Sequence, residues 1–118
     1  MKRFTALVLA AALLPCAALA QEDPPADDFA CDWLGAAAFD LMQARQNGVA
    51  LDMAAERVTG SVAENVVYAR ETRAMLRQLA TIAYRAEREG DEAARQRAAE
   101  RFRASVVTAC RNSGQGGG

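Results

Sequence analysis

Apolar side chains in the chain follow the 3.6-residue repeat of α-helices. The segment after residue 28 is the richest in Ala, Leu and Met, and it carries two neighbouring stripes: Phe29, Trp33 and Ala37, then Leu34, Ala38 and Met42. The pattern predicts a first helix over residues 29–47, with Asp27 and Asp28 supplying the N-terminal cap and negative charge. Because this helix is apolar on several sides, we expect it to be central to a bundle or shared with a partner.

The stretch Arg45-Gln46-Asn47-Gly48 interrupts the apolar pattern and predicts where the first helix stops. Gly48 suits the left-handed residue that follows a helix, and Val49 can pack back on the last turn. Arg45 complements the negative end of the helix. A polar recognition site in these four residues is the alternative interpretation.

Two further helices are predicted in the middle of the chain. Asp52 is expected to cap a second helix that ends at Thr59, before Gly60. Residues 61–64, Ser-Val-Ala-Glu, match the spacing of a capping box. Residues 70–89 are amphipathic, and we expect a break between residues 69 and 72; one continuous helix with two apolar faces is the alternative.

The last helix is predicted over residues 92–111, because Gly90-Asp91 reads as a stop followed by a cap. Its inner stripe consists of Ala94, Ala98, Phe102, Ser105 and Ala109. Residues 112–118 are Gly-, Ser- and Gln-rich, and they predict a disordered tail.

The first twenty residues have the layout of a secretory signal peptide. Lys2 and Arg3 precede an apolar run over residues 4–14, which is too short to span a membrane, and Ala18-Leu19-Ala20 fits the cleavage rule. Residues 21–27, which include Pro24-Pro25, predict a flexible lead-in to a helical domain over residues 28–111. The sequence therefore predicts a periplasmic or secreted protein with no transmembrane span.

Cleavage would remove Cys16 and leave two cysteines, Cys31 and Cys110, which in an exported chain predict one disulfide. Their positions join the start of helix 1 to the end of helix 4. Those two ends meet in an up-down bundle only if the number of helices is even. The predicted fold is thus all-α, a small irregular four-helix bundle with one disulfide.

The pattern resembles that of a group of small secreted proteobacterial proteins of unknown function. Five elements carry the resemblance: Cys31, the stretch Leu41-Met42-Gln43-Ala44-Arg45-Gln46-Asn47-Gly48, Ala83-Tyr84, Phe102 and Cys110. Residues 62–72 do not match the group's pattern. The resemblance implies a helical, disulfide-linked exported protein, and it implies no catalytic residues. Residues 31–34, Cys-Asp-Trp-Leu, also resemble a stretch of small periplasmic acid-stress chaperones, with a different cysteine spacing.

The sequence lacks the usual groups of enzyme chemistry. It contains no histidine, both cysteines of the mature chain are expected to be oxidised, and no serine stands in a G-x-S-x-G context. No spacing typical of a calcium loop or a phosphate-binding loop occurs. We therefore predict no enzymatic activity, no cofactor and no metal.

Charge is divided unevenly between the two halves of the chain. Residues 21–64 hold 9 acids and 2 arginines, a net charge of −7, whereas residues 65–118 hold 10 arginines and 6 acids, a net charge of +4. A candidate anion-binding face on the third helix consists of Arg70, Arg73, Arg77, Arg88 and Tyr84. The alternative is a solvated face, or one that pairs with the acidic half of the domain. Nucleic acid is not an expected partner, because the mature chain is acidic overall.

A second candidate surface is the apolar excess of the first helix. An interface with a second copy or with a client groove would use Trp33, Phe39, Leu41 and Met42. A fully covered central helix is the alternative. The sequence thus predicts an exported, non-enzymatic binding protein of the cell envelope, whose partner is an unidentified envelope protein or an anionic surface. The alternative functions are a periplasmic stress or chaperone-like helper, a small enzyme inhibitor and, least favoured, a small enzyme.

Overall fold

Four helices account for most of residues 26–116, the part of the chain that the computed structural model describes. They are α1 (Ala26–Gln46), α2 (Leu51–Thr59), α3 (Ala69–Ala83) and α4 (Glu92–Gly116), and this part of the chain contains no strand. The prediction of an all-α, four-helix fold is therefore confirmed. The predicted signal peptide and residues 21–25 of the predicted lead-in lie outside the described residues.

Helix α1 is the central element of the bundle, because each of the other three helices packs against it. Ala38 and Leu41 are fully buried, and Met42 is 5% exposed. Gly35 allows α4 to approach α1 closely: a Cβ atom at this position would collide with the side chain of Val107. The lack of a side chain at Gly35 therefore sets the distance between the two longest helices.

The end of α1 has the predicted geometry. Gly48 has a φ of 81°, in the left-handed region. Its N–H donates to the carbonyl of Arg45 at 3.1 Å, and the N–H of Val49 donates to the carbonyl of Ala44 at 2.9 Å. These two bonds form the Schellman motif, which satisfies carbonyl groups at the end of a helix.

Helices α2 and α3 are separate, which answers the question left open by the sequence. Helix α2 begins at Leu51, and Ala50 occupies its N-cap without a side-chain hydrogen bond, so the prediction that Asp52 caps it is wrong. Asp52 instead lies in the first turn, where its charge favours the helix dipole.

The connection between α2 and α3 consists of turns. The hydroxyl of Ser61 donates to the carbonyl of Val58 at 2.6 Å and so completes the end of α2. The predicted capping box over residues 61–64 therefore starts no helix. Tyr68, with a φ of 65°, precedes α3, which begins within the predicted break.

The other helix boundaries differ from the predicted ones at three ends. Helix α1 begins at Ala26, so Asp27 and Asp28 both belong to the helix, and the prediction that they cap it is wrong. Helix α3 ends at Ala83 instead of continuing to residue 89, because side chains of α1 bind the backbone of the following segment. Helix α4 continues to Gly116, past the predicted end at Arg111 and through most of the predicted disordered tail. Adding residues to an existing helix requires no new nucleation, so a weak helix-forming sequence can extend it.

The start of α4 is capped as predicted, since the N–H of Ala94 donates to Oδ1 of Asp91 at 2.8 Å. The predicted disulfide is also present. It joins Cys31 to Cys110, whose Cα atoms lie 5.6 Å apart. Among the described helices, none combines the length and the apolar character that crossing a bilayer requires.

Candidate functional site

The arginines predicted to form one anion-binding face are divided between two parts of the structure. Arg70, Arg73 and Arg77 lie on α3, whereas Tyr84 and Arg88 follow its last residue. The predicted face assumed a helix that continues to residue 89. Its end at Ala83 separates the two groups.

Two of these arginines bind inside the domain. Nη2 of Arg73 donates to the carbonyl of Val62 at 3.0 Å and lies 3.3 Å from the carboxylate of Glu64. Nε of Arg88 donates to the carbonyl of Gln46 at 3.1 Å. Both side chains therefore hold neighbouring segments in place, which agrees with internal pairing more than with an open anion site.

The remaining arginines offer little for an anion. Arg70 is exposed, and it makes no ion pair within the described part of the chain. Arg77 lines a cleft of about 330 Å³ together with the acids Asp52 and Glu56. Acids beside Arg77 lower the local potential that would attract an anion.

The two segments 45–49 and 84–89 bind each other through polar side chains, and we call this end of the bundle the clasp. Nε of Arg45 donates to the carbonyl of Ala86 at 2.8 Å. Nε2 of Gln46 donates to the carbonyl of Glu87 at 3.0 Å, and Oε1 of Gln46 accepts from the N–H of Glu89 at 2.7 Å. Gln46 is only 1% exposed, so its amide replaces the strand- or helix-type partners that this irregular backbone lacks.

Tyr84 closes the clasp on the side of α2. Its hydroxyl donates to the carbonyl of Val49 at 2.7 Å, and the guanidinium of Arg45 lies 5.6 Å from the centre of its ring. Burial raises the pKa of Tyr84 above its ordinary value, and the positive charges of Arg45 and Arg57 oppose that rise. The residues Arg45 and Gln46 therefore end α1, as the first interpretation predicted. They also form polar contacts, as the alternative predicted, but the contacts are to another segment of the same chain.

Most residues of the predicted apolar interface are packed against other parts of the same chain. Leu41 and Met42 belong to the core, so their prediction as interface residues is wrong. Phe39 is half-buried against the same core. Helix α1 is thus mostly covered, as the alternative interpretation stated. Trp33, at 39% exposure, is the member that stays at the surface.

Trp33 belongs to an apolar groove between the start of α1 and the connection that precedes α3. We call this site the groove, and its volume is about 450 Å³. Its lining residues are Phe29, Ala30, Trp33, Ser61, Val62, Ala63, Val66 and Thr72. Phe29 is 78% exposed and Val66 is 48% exposed. Large side chains of this kind are usually covered in a stable monomer, so the groove is the best candidate for a binding site.

The charged residues near the groove are mainly acidic. Asp28 and Asp32 flank Phe29 and Trp33 on α1, and both approach Arg111, at 3.5 Å and 3.1 Å. The side chain of Glu64 is 93% exposed even though it approaches Arg73. The carboxylates beside the groove therefore outnumber the arginines that approach them, Arg73 and Arg111.

Sequence reasoning identified Trp33 as a surface residue but did not identify the groove. The apolar run Val66-Val67-Tyr68 was the available signal, because these residues lie in a connection and not on a helix that could bury them. All three are exposed. The stripe of Phe29 and Trp33 suggested a core-facing side of α1, and only the position of the connection shows which part of it stays open.

A second cleft, of about 600 Å³, lies along α1 and α4. Its lining mixes charged residues, among them Arg103, Glu100 and Asp32, with apolar ones, and it offers less apolar surface than the groove to anchor a ligand. Within the described residues, no group of three or more Cys, Asp or Glu side chains has the arrangement of a metal site.

No protein-family model, curated protein or solved structure matches the chain. The function is therefore inferred from the contacts, exposure and charge of the chain itself.

Proposed function

We propose that the chain is an exported, non-enzymatic binding protein of the cell envelope, and that the groove takes apolar side chains of a partner polypeptide with basic residues beside them. The exposed apolar lining of the groove, above all Phe29 at 78% exposure, carries this proposal. Covering such surface stabilises a complex by about 25 cal/mol per Å² of apolar area removed from water.

The size of the groove suits a short polypeptide segment. Its volume of about 450 Å³ falls within the range of about 300–1,000 Å³ that is typical of ligand sites in proteins. Ser61 and Thr72 are the polar residues among its lining. With so few polar groups to orient a ligand, affinity would come from apolar burial, and selectivity would come from the charges at the rim.

Charge at the rim distinguishes basic from acidic partners. Glu64 follows the lining residue Ala63 and is exposed, and Asp28 and Asp32 flank Phe29 and Trp33. Acidic flanks on a partner would meet these carboxylates and be repelled, whereas Lys or Arg flanks would be attracted and would bind faster at low ionic strength. This preference replaces the anionic partner that the arginine face suggested.

The expected location is consistent with this role. The disulfide between Cys31 and Cys110 is of the kind that persists outside the reducing cytosol. The leader-like residues 1–20 predict export, and the resemblance to small secreted proteins points in the same direction.

A chaperone-like helper is the second candidate, and the near absence of hydrogen-bonding groups in the groove favours it. A groove that binds through apolar contacts and few hydrogen bonds would accept many different apolar polypeptide segments. The two candidates differ in breadth: a dedicated binding protein prefers one sequence, and a helper binds several of similar apolar content.

Trp33 is the only tryptophan in the chain and lies in the groove, so its fluorescence reports binding directly. We would titrate the oxidised protein with peptides that share one apolar centre but carry either Lys or Glu flanks. The Lys-flanked peptides are expected to shift the Trp33 emission to shorter wavelength and to bind about tenfold or more tightly than the Glu-flanked ones at low salt. Equal binding by both sets would contradict the charge preference, and no shift with any peptide would contradict the groove as the site.

A matched pair of variants tests the location. Val66→Asp places a charge in the groove and is expected to abolish the shift. Met53→Asp alters a residue on α2 that is 60% exposed and does not line the groove, so it should bind as the parent does. If Val66→Asp keeps the helical circular dichroism spectrum of the parent and still binds, the groove is not the site.

A further inference from the structure

Helix α3 has an exposed face that no helix of the bundle covers. The face consists of Glu71, Met75, Gln78 and Ile82 on α3, with Arg85 in the turn directly after it, and all five are exposed. The four helical residues are separated by 4, 3 and 4 residues, which keeps them along one side of α3. Tyr84 keeps right-handed helical backbone angles and the N–H of Arg85 donates to the carbonyl of Ile82 at 3.1 Å, so Arg85 stays close to that side. Met75 is 42% exposed and Ile82 is 49% exposed.

The opposite side of α3 provides its core contacts. Leu76, Ala80 and Ala83 are fully buried, and they hold α3 in the bundle. Within the described residues, neither Glu71 nor Arg85 forms an ion pair, and the amide of Gln78 forms no hydrogen bond to another side chain. The face is therefore not needed for the contacts of the single chain.

The five residues form two parallel rows. Met75 and Ile82 make an apolar row, and Glu71, Gln78 and Arg85 make a polar row beside it. The polar row runs from a negative charge through a neutral amide to a positive charge. The middle of each row falls at Gln78 or directly beside it.

We propose that α3 pairs antiparallel with α3 of a second copy of the chain, about a two-fold axis next to Gln78. This axis keeps each row opposite its own copy and reverses its direction. Met75 then faces Ile82 of the second copy, and Glu71 faces Arg85 of the second copy. Each contact occurs twice, as the symmetry of a closed dimer requires.

Charge complementarity favours a second copy of the chain as the partner of this face, and it favours the antiparallel direction. A parallel pairing would bring Glu71 level with Glu71 and Arg85 level with Arg85, so both contacts would be repulsive, and it would set each polar row against the apolar row of the second copy. The antiparallel pairing converts both into attractive ones. A face with a single sign of charge would not be self-complementary in either direction.

The dimer is expected to be weak. Helix α3 has 15 residues and is therefore about 22 Å long. A contact of this length buries an area near the lower limit of about 1,000 Å² for specific interfaces. We therefore expect association that depends on protein concentration in the micromolar range.

The dimer is independent of the proposed binding function, because Thr72 is the α3 residue that lines the groove and it is not part of this face. Sedimentation equilibrium of the oxidised protein over a range of concentrations measures the dimer directly. Ile82→Glu is expected to raise the dissociation constant about tenfold or more, since it introduces two buried charges per dimer. Arg97→Glu on α4, also at an exposed site, is the control and should leave the constant unchanged.

Charge exchange distinguishes this dimer from any other. Glu71→Arg alone, or Arg85→Glu alone, should weaken the dimer about fivefold or more, because each creates two repulsive pairs. The two substitutions together should restore the parent constant. A parent protein that stays monomeric at all concentrations would overturn the proposal, and so would a double variant that associates no better than the single ones.

Discussion

The two ends of the bundle are closed by different means. At the clasp, side chains of α1 bind the carbonyl and N–H groups of residues 86–89, and Gln46 is almost completely buried. At the groove end, the start of α1 keeps Phe29 and Trp33 exposed, and a covalent bond between Cys31 and Cys110 joins the helices instead.

This difference shows which end leaves apolar surface open. The amide of Gln46 is buried and must have partners, so opening the clasp would leave it unpaired. Exposed apolar side chains require no such partners, and the disulfide holds the chain together without covering them. The groove end is therefore held together by the disulfide while its apolar side chains stay exposed to solvent.

Removing the disulfide at the groove end should have the largest effect on the stability of the protein. The double substitution Cys31→Ala with Cys110→Ala opens a loop of 79 residues and is expected to lower the free energy of unfolding by about 4 kcal/mol. Urea denaturation of the oxidised parent and the variant measures this. A loss below about 1 kcal/mol would mean that apolar packing alone holds the groove end.

Gln46→Ala should produce the next largest effect, at the clasp. It leaves the carbonyl of Glu87 and the N–H of Glu89 without their partner in a partly buried site, and it should lower the free energy of unfolding by about 2 kcal/mol. Gln43→Ala is the matched control, because Gln43 is exposed on the same helix. Equal stability of the two variants would show that the clasp contributes nothing.

Arg73→Gln tests whether the arginines of α3 act inside the domain. Losing the bond to the carbonyl of Val62 and the approach to Glu64 should cost about 1 kcal/mol. Arg70→Gln, one turn earlier and exposed, should leave the melting temperature unchanged. If Arg73→Gln is as stable as the parent but binds anionic vesicles more weakly at low salt, the predicted anion-binding face is correct and internal pairing is not its role.

Tyr84→Phe should produce the smallest loss, about 0.5 kcal/mol near neutral pH, because the carbonyl of Val49 loses one hydrogen bond. Folding raises the pKa of Tyr84, so the neutral phenol is favoured in the folded state. This contribution is fully present below the ordinary pKa and is lost as the pH rises through the folded value. The stability difference between parent and variant should therefore stay constant up to pH ~9 and shrink as the pH rises above ~10, as measured by urea denaturation. A constant difference would contradict the role of the phenol.

The sequence alone determined the helical class, the stop of α1 and the disulfide. These follow from local chemistry and from counting. Gly48 provides the left-handed residue, Asp91 provides the cap, and the two cysteines that follow the predicted leader allow one pairing. An even number of helices followed from that pairing.

The tertiary structure alone decided which surfaces stay open. Helical periodicity placed Met42 and Trp33 on stripes of similar character. Met42 is buried beside α4 and the segment after α3, whereas the connection after α2 leaves Trp33 in a groove. Helical periodicity likewise placed Arg73 and Arg88 on one face. The pattern contained no information that Gln46 would bind the backbone after Ala83, where α3 ends. Local sequence fixes the period of a helix, whereas the exposure of a given side chain depends on which distant segment packs on it.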